Sequence, residues 1–225
     1  RTQFAISTEE TRYYLNGIYL HAAKSGKVDM LRAVATDGHR LARFEMPLPD
    51  GAKGMPGVIV PRKAVSEIRK LVDESADAVK VSLSETRIRL AFDGVVLTSK
   101  LIDGTFPDYE RVIPQQNDKL MGVRPKDFKD AVDRVSTIAK DQSRAVKMAL
   151  SDGTLTLSAS GQDTGTATEE IEARYAGGAI DIGFNSRYLL DIAAQIEGEE
   201  AEFAMSDAAS PTVVRDASEP GALYV

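Results

Sequence analysis

Val58-Ile59-Val60-Pro61-Arg62-Lys63-Ala64-Val65-Ser66-Glu67-Ile68-Arg69-Lys70-Leu71-Val72 is the stretch on which the fold turns. A short apolar run meets a proline, which has no backbone N–H to lose and is tolerated where a helix begins. Beyond it Val65, Ile68, Leu71 and Val72 recur at helical spacing, so the stretch predicts a strand and then a helix over about 61–73. The arrangement returns at Ile180-Asp181-Ile182-Gly183-Phe184, where Asn185-Ser186 offers a cap and Leu189, Ile192, Ala193 and Ile196 form the stripe. Superposing Pro61 on Asn185, an offset of 124 residues, puts Val65 on Leu189, Ile68 on Ile192 and Val72 on Ile196. Farther back an offset of 132 puts Ile6 on Ile138, Arg12 on Arg144 and Ile18 on Leu150. Two homologous α+β units in tandem follow from this, with Arg1 to Ile6 read as the tail of an opening helix that the first unit lacks.

Working outward, alternation from Tyr13 to Leu20, from Met30 to Ala35 and from Arg40 to Phe44 predicts strands of a meander, with turns at Ser25-Gly26 and Asp37-Gly38. Further strands are expected near 78–83, 86–92 and 95–102, turning at Glu85-Thr86 and Asp93-Gly94. The polar stretch from Asp103 to Asp118 carries Pro107 and Pro114 and marks a domain boundary, giving units 1–116 and 117–225. In the second unit Pro125 opens a helix to about 139 with Phe128, Ala131, Val132, Val135 and Ile138 on its apolar face. Strands are expected near 144–150, 153–160 and 165–174.

Composition narrows the function classes. The 225 residues include 43% hydrophobic ones, enough for real cores, and neither Cys nor Trp. The missing thiols exclude disulfide scaffolds, Cys-ligated zinc, iron–sulfur clusters and thiol nucleophiles, and suit the cytoplasm. No apolar run is long enough to span a bilayer, and Arg1-Thr2-Gln3-Phe4 does not open a signal peptide. A start without Met and an end inside Ala222-Leu223-Tyr224-Val225 read as a fragment. With 28 Lys+Arg against 34 Asp+Glu the net charge is −6, which opposes non-specific coating of nucleic acid and leaves room for a local basic face.

Few residues could build a catalytic centre. Asp37-Gly38-His39 admits a hydrolytic His–Asp pair, although Asp-Gly between strands is ordinary hairpin chemistry. His21 and His39 alone do not make a three-ligand metal site, and no cofactor motif is present. Gly161-Gln162-Asp163-Thr164-Gly165 lacks the Lys and the helix of a phosphate-binding loop and reads as a hairpin turn. The helix at 61–73 is more informative: Arg62, Lys63, Arg69 and Lys70 fall on the side opposite the apolar stripe, as a solvated surface or as a face toward phosphates. Apolar and basic residues also gather in turns, which reads either as packing at a domain junction or as a groove for short peptides.

A resemblance adds to this. Arg12-Tyr13-Tyr14-Leu15-Asn16-Gly17, Ala33-Val34-Ala35-Thr36-Asp37-Gly38-His39-Arg40-Leu41-Ala42, Val58 to Lys63, Ser99-Lys100-Leu101-Ile102-Asp103-Gly104, Phe106-Pro107-Asp108-Tyr109-Glu110-Arg111-Val112-Ile113-Pro114 and Ile182-Gly183-Phe184-Asn185 resemble, in order, the bacterial DNA polymerase III beta subunit family, the sliding clamps. The resemblance implies tandem clamp domains of antiparallel sheets with helices on the inner face, here the second and third of three. It also implies a homodimeric ring around double-stranded DNA without sequence preference, no catalysis, no cofactor and no membrane.

Polymerase, clamp-loader and repair proteins would bind through short linear peptides in a pocket where the two domains meet. Carried over residue by residue, that pocket would use Arg12, Tyr14, Leu15, Thr36, Gly38, His39, Arg40, Leu41, Pro107, Arg111, Val112, Asn185, Tyr188, Pro211 and Val225. Arg62, Lys63, Arg69 and Lys70 would face DNA, and Arg134 and Ile138 the partner copy. Two departures from the family stand out: Pro211 where familiar members carry Ser, and no closing Met-Pro-Met-Arg-type segment after Val225. The alternatives are a hydrolase using His39 with Asp37 and an interaction module without DNA contact.

Overall fold

A computed structural model describes residues 1–72, 78–92, 94–139, 144–161 and 163–225. The chain divides into two compact units, Arg1–Tyr109 and Glu110–Val225, inside the stretch where the sequence sets its boundary.

In the first unit, a 3-10 turn at Gln3–Ala5 and another at Tyr13–Leu15 precede β1 (Gly17–Ser25), β2 (Val28–Thr36), β3 (Leu41–Pro47) and β4 (Val58–Pro61). All pairs are antiparallel, in the order β3-β2-β1-β4. Alternation at Tyr13 to Leu15 predicts strand, but these residues turn: Leu15 N–H donates to Arg12 O at 2.9 Å and Asn16 N–H to Tyr13 O at 3.0 Å. Helix α1 (Arg62–Val72) begins one residue after the sequence expectation, because Pro61 still pairs with Gly17 as the end of β4. Asp73, its expected last residue, lies outside the described residues.

Strands β5 (Lys80–Leu83), β6 (Arg87–Phe92) and β7 (Val95–Lys100) form a second antiparallel sheet. Its inward residues Ile88, Leu90 and Phe92 join Val58, Val60 and Ala64 in one core, onto which Val65, Ile68, Leu71 and Val72 of α1 pack. The α1 stripe is thus partly buried against the sheets it was patterned for. Of the β6–β7 turn, Asp93 lies outside the described residues, and Gly94 takes φ 73°.

The second unit runs β8 (Lys119–Val123), α2 (Pro125–Ser136), β9 (Ala145–Ser151), β10 (Thr154–Gly161), β11 (Gly165–Glu172), β12 (Arg174–Tyr175), β13 (Ile180–Asn185), α3 (Ser186–Ala193), β14 (Ala201–Met205), β15 (Val213–Asp216) and β16 (Glu219–Tyr224). One sheet has the order β11-β10-β9-β13, another β12-β8-β14-β15-β16, every pair antiparallel. Helix α2 stops at Ser136, short of the expected 139, where Thr137 Oγ1 donates to Arg134 O at 2.7 Å and Ala139 N–H to Ser136 O at 3.1 Å. Ile138 therefore sits in the turn after the helix. Phe128 and Phe203 meet at 5.0 Å between ring centroids in the core. At the β10–β11 turn Gln162 lies outside the described residues, while Thr164 N–H donates to Gly161 O at 3.3 Å.

The repeat is visible in the registers. β3-β2-β1-β4 followed by α1 repeats as β11-β10-β9-β13 followed by α3, and Asn185 caps α3 by accepting from Arg187 N–H at 2.9 Å. Pro61 and Asn185 occupy the same place, as the 124-residue offset requires. The 132-residue offset does not hold: Gly17 faces Pro61 and Ala145 faces Asn185, so Ile18 corresponds to Val146 and not to Leu150.

Candidate functional site

The β2–β3 connection is built from its own side chains. Asp37 Oδ1 accepts from the backbone N–H of His39 at 2.9 Å and of Arg40 at 3.0 Å, and its Oδ2 accepts from Arg40 Nε at 3.1 Å. Thr36 Oγ1 accepts from Gly38 N–H at 3.0 Å and donates to Arg40 O at 2.7 Å. This is the local capping for which Asp and Thr are favoured in turns. Gly38 has φ 89°, a conformation L side chains rarely adopt, and a Cβ there would lie 2.3 Å from Arg12 Nη1.

Two arginines carry the turn into the rest of the unit. Arg12 donates to Asp37 O at 2.8 Å and holds Glu9 through Nε at 2.8 Å and Nη2 at 2.5 Å. The Glu9 hydrogen bond raises the Arg12 pKa, and its counterpart from Arg12 lowers that of Glu9. Arg40 Nη2 donates to Phe4 O at 2.9 Å, and its guanidinium lies 5.2 Å from the centroid of the Phe4 ring. The result is a rigid, cation-rich ridge beside the 3-10 turn at Tyr13–Leu15. There Tyr13, 54% exposed, packs edge-on to Tyr14 at 5.9 Å.

A hydrolytic centre does not emerge. What Asp37 receives from His39 is the backbone N–H, and its second oxygen is taken by Arg40, so the carboxylate orders a turn and does not orient an imidazole. Among the described residues no group of three His, Asp or Glu side chains is placed to hold a metal ion.

The family model for the central domain of the DNA polymerase III beta subunit matches residues 1–108, and that for its C-terminal domain matches residues 110–225. The chain belongs to the DNA polymerase III beta subunit family. Its similarity to a beta sliding clamp of Caulobacter vibrioides is 52% identity over 225 residues, and to that of Escherichia coli 34% over 226. Both matches cover 100% of this chain and 60% of the relative, so the chain spans about 60% of the length of these relatives. A crystal structure of a Bartonella birtlesii sliding clamp bound to griselimycin is 55% identical at TM-score 0.95, over 99% of this chain and 60% of that one.

Within this beta-subunit chain, the turns bring together Arg12, Gly38, His39 and Arg40 of the sequence-predicted residues, with His39 exposed and both arginines partly buried. Thr36, Leu15 and Leu41 lie beneath them; the two leucines are each only 3% exposed, so they support the ridge from below. Tyr14 is partly buried and Pro107 exposed. In the second unit Arg111 and Val112 end a 3-10 turn, Val112 being 55% exposed, while Tyr188 lies on α3, Pro211 precedes β15 and Val225 follows β16.

Arg62, Lys63, Arg69 and Lys70 are all exposed on α1, Lys70 pairing with Glu67 at 3.1 Å. Arg134 is exposed on α2 and paired with Glu169 of β11, Nε to Oε2 at 3.0 Å, while Ile138 is partly buried. Sequence reasoning missed Glu9 and Asp37 as the anchors of Arg12 and Arg40, and Tyr13 as the exposed aromatic. The signals were available: a carboxylate three residues before Arg12, and an Asp at the first position of a turn.

Proposed function

We propose that the protein to which this chain belongs is a non-catalytic processivity clamp of the bacterial replicative polymerase. It works in the cytoplasm as a homodimeric ring around duplex DNA and tethers polymerase, clamp-loader and repair proteins by their short linear peptides. The observation that carries this reading is the match of the whole chain, end to end, to the central and C-terminal domains of the beta subunit.

The chemistry of the exposed side chains supports it. Exposed Arg62, Lys63, Arg69 and Lys70 on one helix of a chain with net charge −6 suit weak, sequence-indifferent phosphate contact, and a ring holds DNA by topology, so such contact suffices. Arg134 and Ile138 are assigned to contact with the partner copy. The peptide-binding residues are Arg12, Tyr14, Leu15, Thr36, Gly38, His39, Arg40, Leu41 and Pro107 of the first unit, with Arg111, Val112, Asn185, Tyr188, Pro211 and Val225 of the second. On the first unit the fixed arginines can hydrogen-bond a peptide backbone or acidic group beside exposed apolar surface, which supplies selectivity more than affinity.

The ring reading is tested with the full-length protein loaded onto nicked circular DNA and washed in high salt. Retention on the circle and loss on linearisation are expected. Equal retention on both forms would mean that binding is direct and not topological.

A further inference from the structure

The three-stranded sheet β5-β6-β7 has a second face that the clamp reading does not use. Its inward residues Ile88, Leu90 and Phe92 are in the core, so strand alternation sends Arg87, Arg89 and Ala91 of β6 the other way. The registers add their neighbours: Arg87 lies opposite Lys100, Arg89 between Ser82 and Thr98, and Ala91 between Lys80 and Val96. Lys80, Ser82, Arg87, Arg89, Val96, Thr98 and Lys100 are all exposed.

On this grid the cations run diagonally, Lys100 to Arg87 to Arg89 to Lys80. The steps are about 5 Å from Lys100 to the directly opposed Arg87, about 7 Å from Arg87 to Arg89 along one strand, and about 8 Å from Arg89 diagonally to Lys80. Among the described residues no carboxylate belongs to the face; Glu85 sits at its edge, in the β5–β6 turn.

Two observations bear on this stripe. Several exposed cations of the second unit are neutralised locally: Lys126 by Asp130, Arg124 by Asp127, Arg134 by Glu169, Lys147 by Asp181, Arg174 by Glu200. Among the described residues, Lys80, Arg87, Arg89 and Lys100 have no ion-pair partner. In addition, Arg87 and Lys100 are directly opposed on adjacent strands, an arrangement of like charges that destabilises a sheet. A polyanion laid across the stripe would relieve that repulsion.

We propose that this face binds single-stranded DNA through its phosphates. The side-chain set of Lys, Arg, Ser and Thr is the one that contacts phosphate oxygens, and the steps of the stripe compare with the spacing of neighbouring phosphates on an extended strand. A flexible single strand can follow the diagonal across the strands, whereas a stiff duplex presents a convex surface that reaches fewer of the cations at once. The face carries no aromatic side chain for bases to stack on, so binding is to the backbone, without sequence preference, and weak. An acidic peptide would share the charge, but it docks through apolar anchors, and the face offers only Val96, with no groove. The surface is distinct from the basic side of α1 and stands whether or not the ring reading holds.

The test is fluorescence anisotropy of a labelled 20-nucleotide homothymidine strand against this chain. Contact with four phosphates gives a slope of log affinity on log salt of about −0.7 per phosphate, so each doubling of salt weakens binding roughly sevenfold. The variant K80Q/R87Q/R89Q/K100Q is expected to lose at least tenfold in affinity and most of that slope, while keeping or raising its melting temperature. The α1 variant R62Q/K63Q/R69Q/K70Q is expected to keep the single strand. Should the quadruple sheet variant fail to fold, the single variants R87Q and R89Q are each expected to weaken binding a few-fold. Unchanged affinity in the sheet variants would overturn the proposal. So would tighter binding of a labelled duplex or of a polyglutamate peptide lost on the same substitutions, because either makes the occupant something else.

Discussion

Arg32 is buried at 6% exposure and sits at the centre of the first unit's polar interior. Its Nε donates to Glu45 Oε2 at 2.7 Å and its Nη1 to the Tyr109 hydroxyl at 3.2 Å. That hydroxyl in turn lies 3.0 Å from His21 Nε2, and His21 Nδ1 lies 3.0 Å from Ala22 O. Because a carbonyl only accepts, Nδ1 carries the proton and Nε2 accepts from Tyr109, so each group has one consistent role. Burial opposes the Arg32 charge, but the bonds to Tyr109 and Glu45 outweigh it and hold its pKa above the ordinary arginine value. Tyr109→Phe strands a buried charged donor and is expected to cost about 1–3 kcal/mol in urea unfolding; no loss would remove Tyr109 from the network. Gly38→Ala is expected to cost about 1 kcal/mol, since φ 89° is strained for any residue with a Cβ. The sequence shows Asp37-Gly38 as a turn because that chemistry is local. It does not show Arg12 reaching Asp37 across 25 positions, nor Arg32 reaching Tyr109 across 77, because no spacing encodes a long-range pair.

Elements were legible where period and punctuation agreed. Helix α1 follows from a stripe after a proline, and α3 from the same stripe after an Asn cap. Strands β8, β14 and β15 were passed over, since a stretch such as Ala201-Glu202-Phe203-Ala204-Met205 is nearly all buried and does not alternate. Leu15 and Leu41, named for the peptide pocket through the resemblance, are each 3% exposed, a depth that matching a motif does not give.

The β15–β16 corner is held by Asp216. Burial pushes its pKa up, but the Ser218 side chain and the backbone N–H groups of Glu197, Ser218 and Gly198 outweigh this and leave it below the usual carboxylate value. In the exposed loop before β15, the Ser210 hydroxyl and the N–H groups of Ala209 and Ser210 bring Asp207 down to about 2. Both folded pKa values lie below the unfolded ones. Their stabilisation is therefore full at neutral pH and is lost as pH falls below the ordinary Asp value of about 4 and through each folded value, which for Asp207 is about 2. Asp216→Asn is expected to lower stability at pH 7, with the gap to wild type narrowing as pH falls below the ordinary Asp value of about 4; a gap independent of pH would show that the ionised carboxylate is not what holds the corner.

At the scale of the whole molecule the family was legible because its motifs are spread over the entire chain, and the tandem repeat because the same strand order is written twice. The offset in the first half of the repeat was misread by four residues, since one amphipathic pattern slides over another at little cost in match. On the proposed function, affinity for a peptide would come from burying one or two Leu or Phe anchors, about 1.5–3 kcal/mol each, against the ordering of the peptide, which would give micromolar binding. The most direct measurement is titration of a fluorescent peptide bearing two such anchors into this chain and into the variant His39→Ala/Val112→Asp. Both substituted positions are exposed, so both proteins should melt at the same temperature. A micromolar Kd for the unaltered chain that weakens at least tenfold in the variant is the predicted result; absence of binding, or binding that the variant keeps in full, would contradict the account.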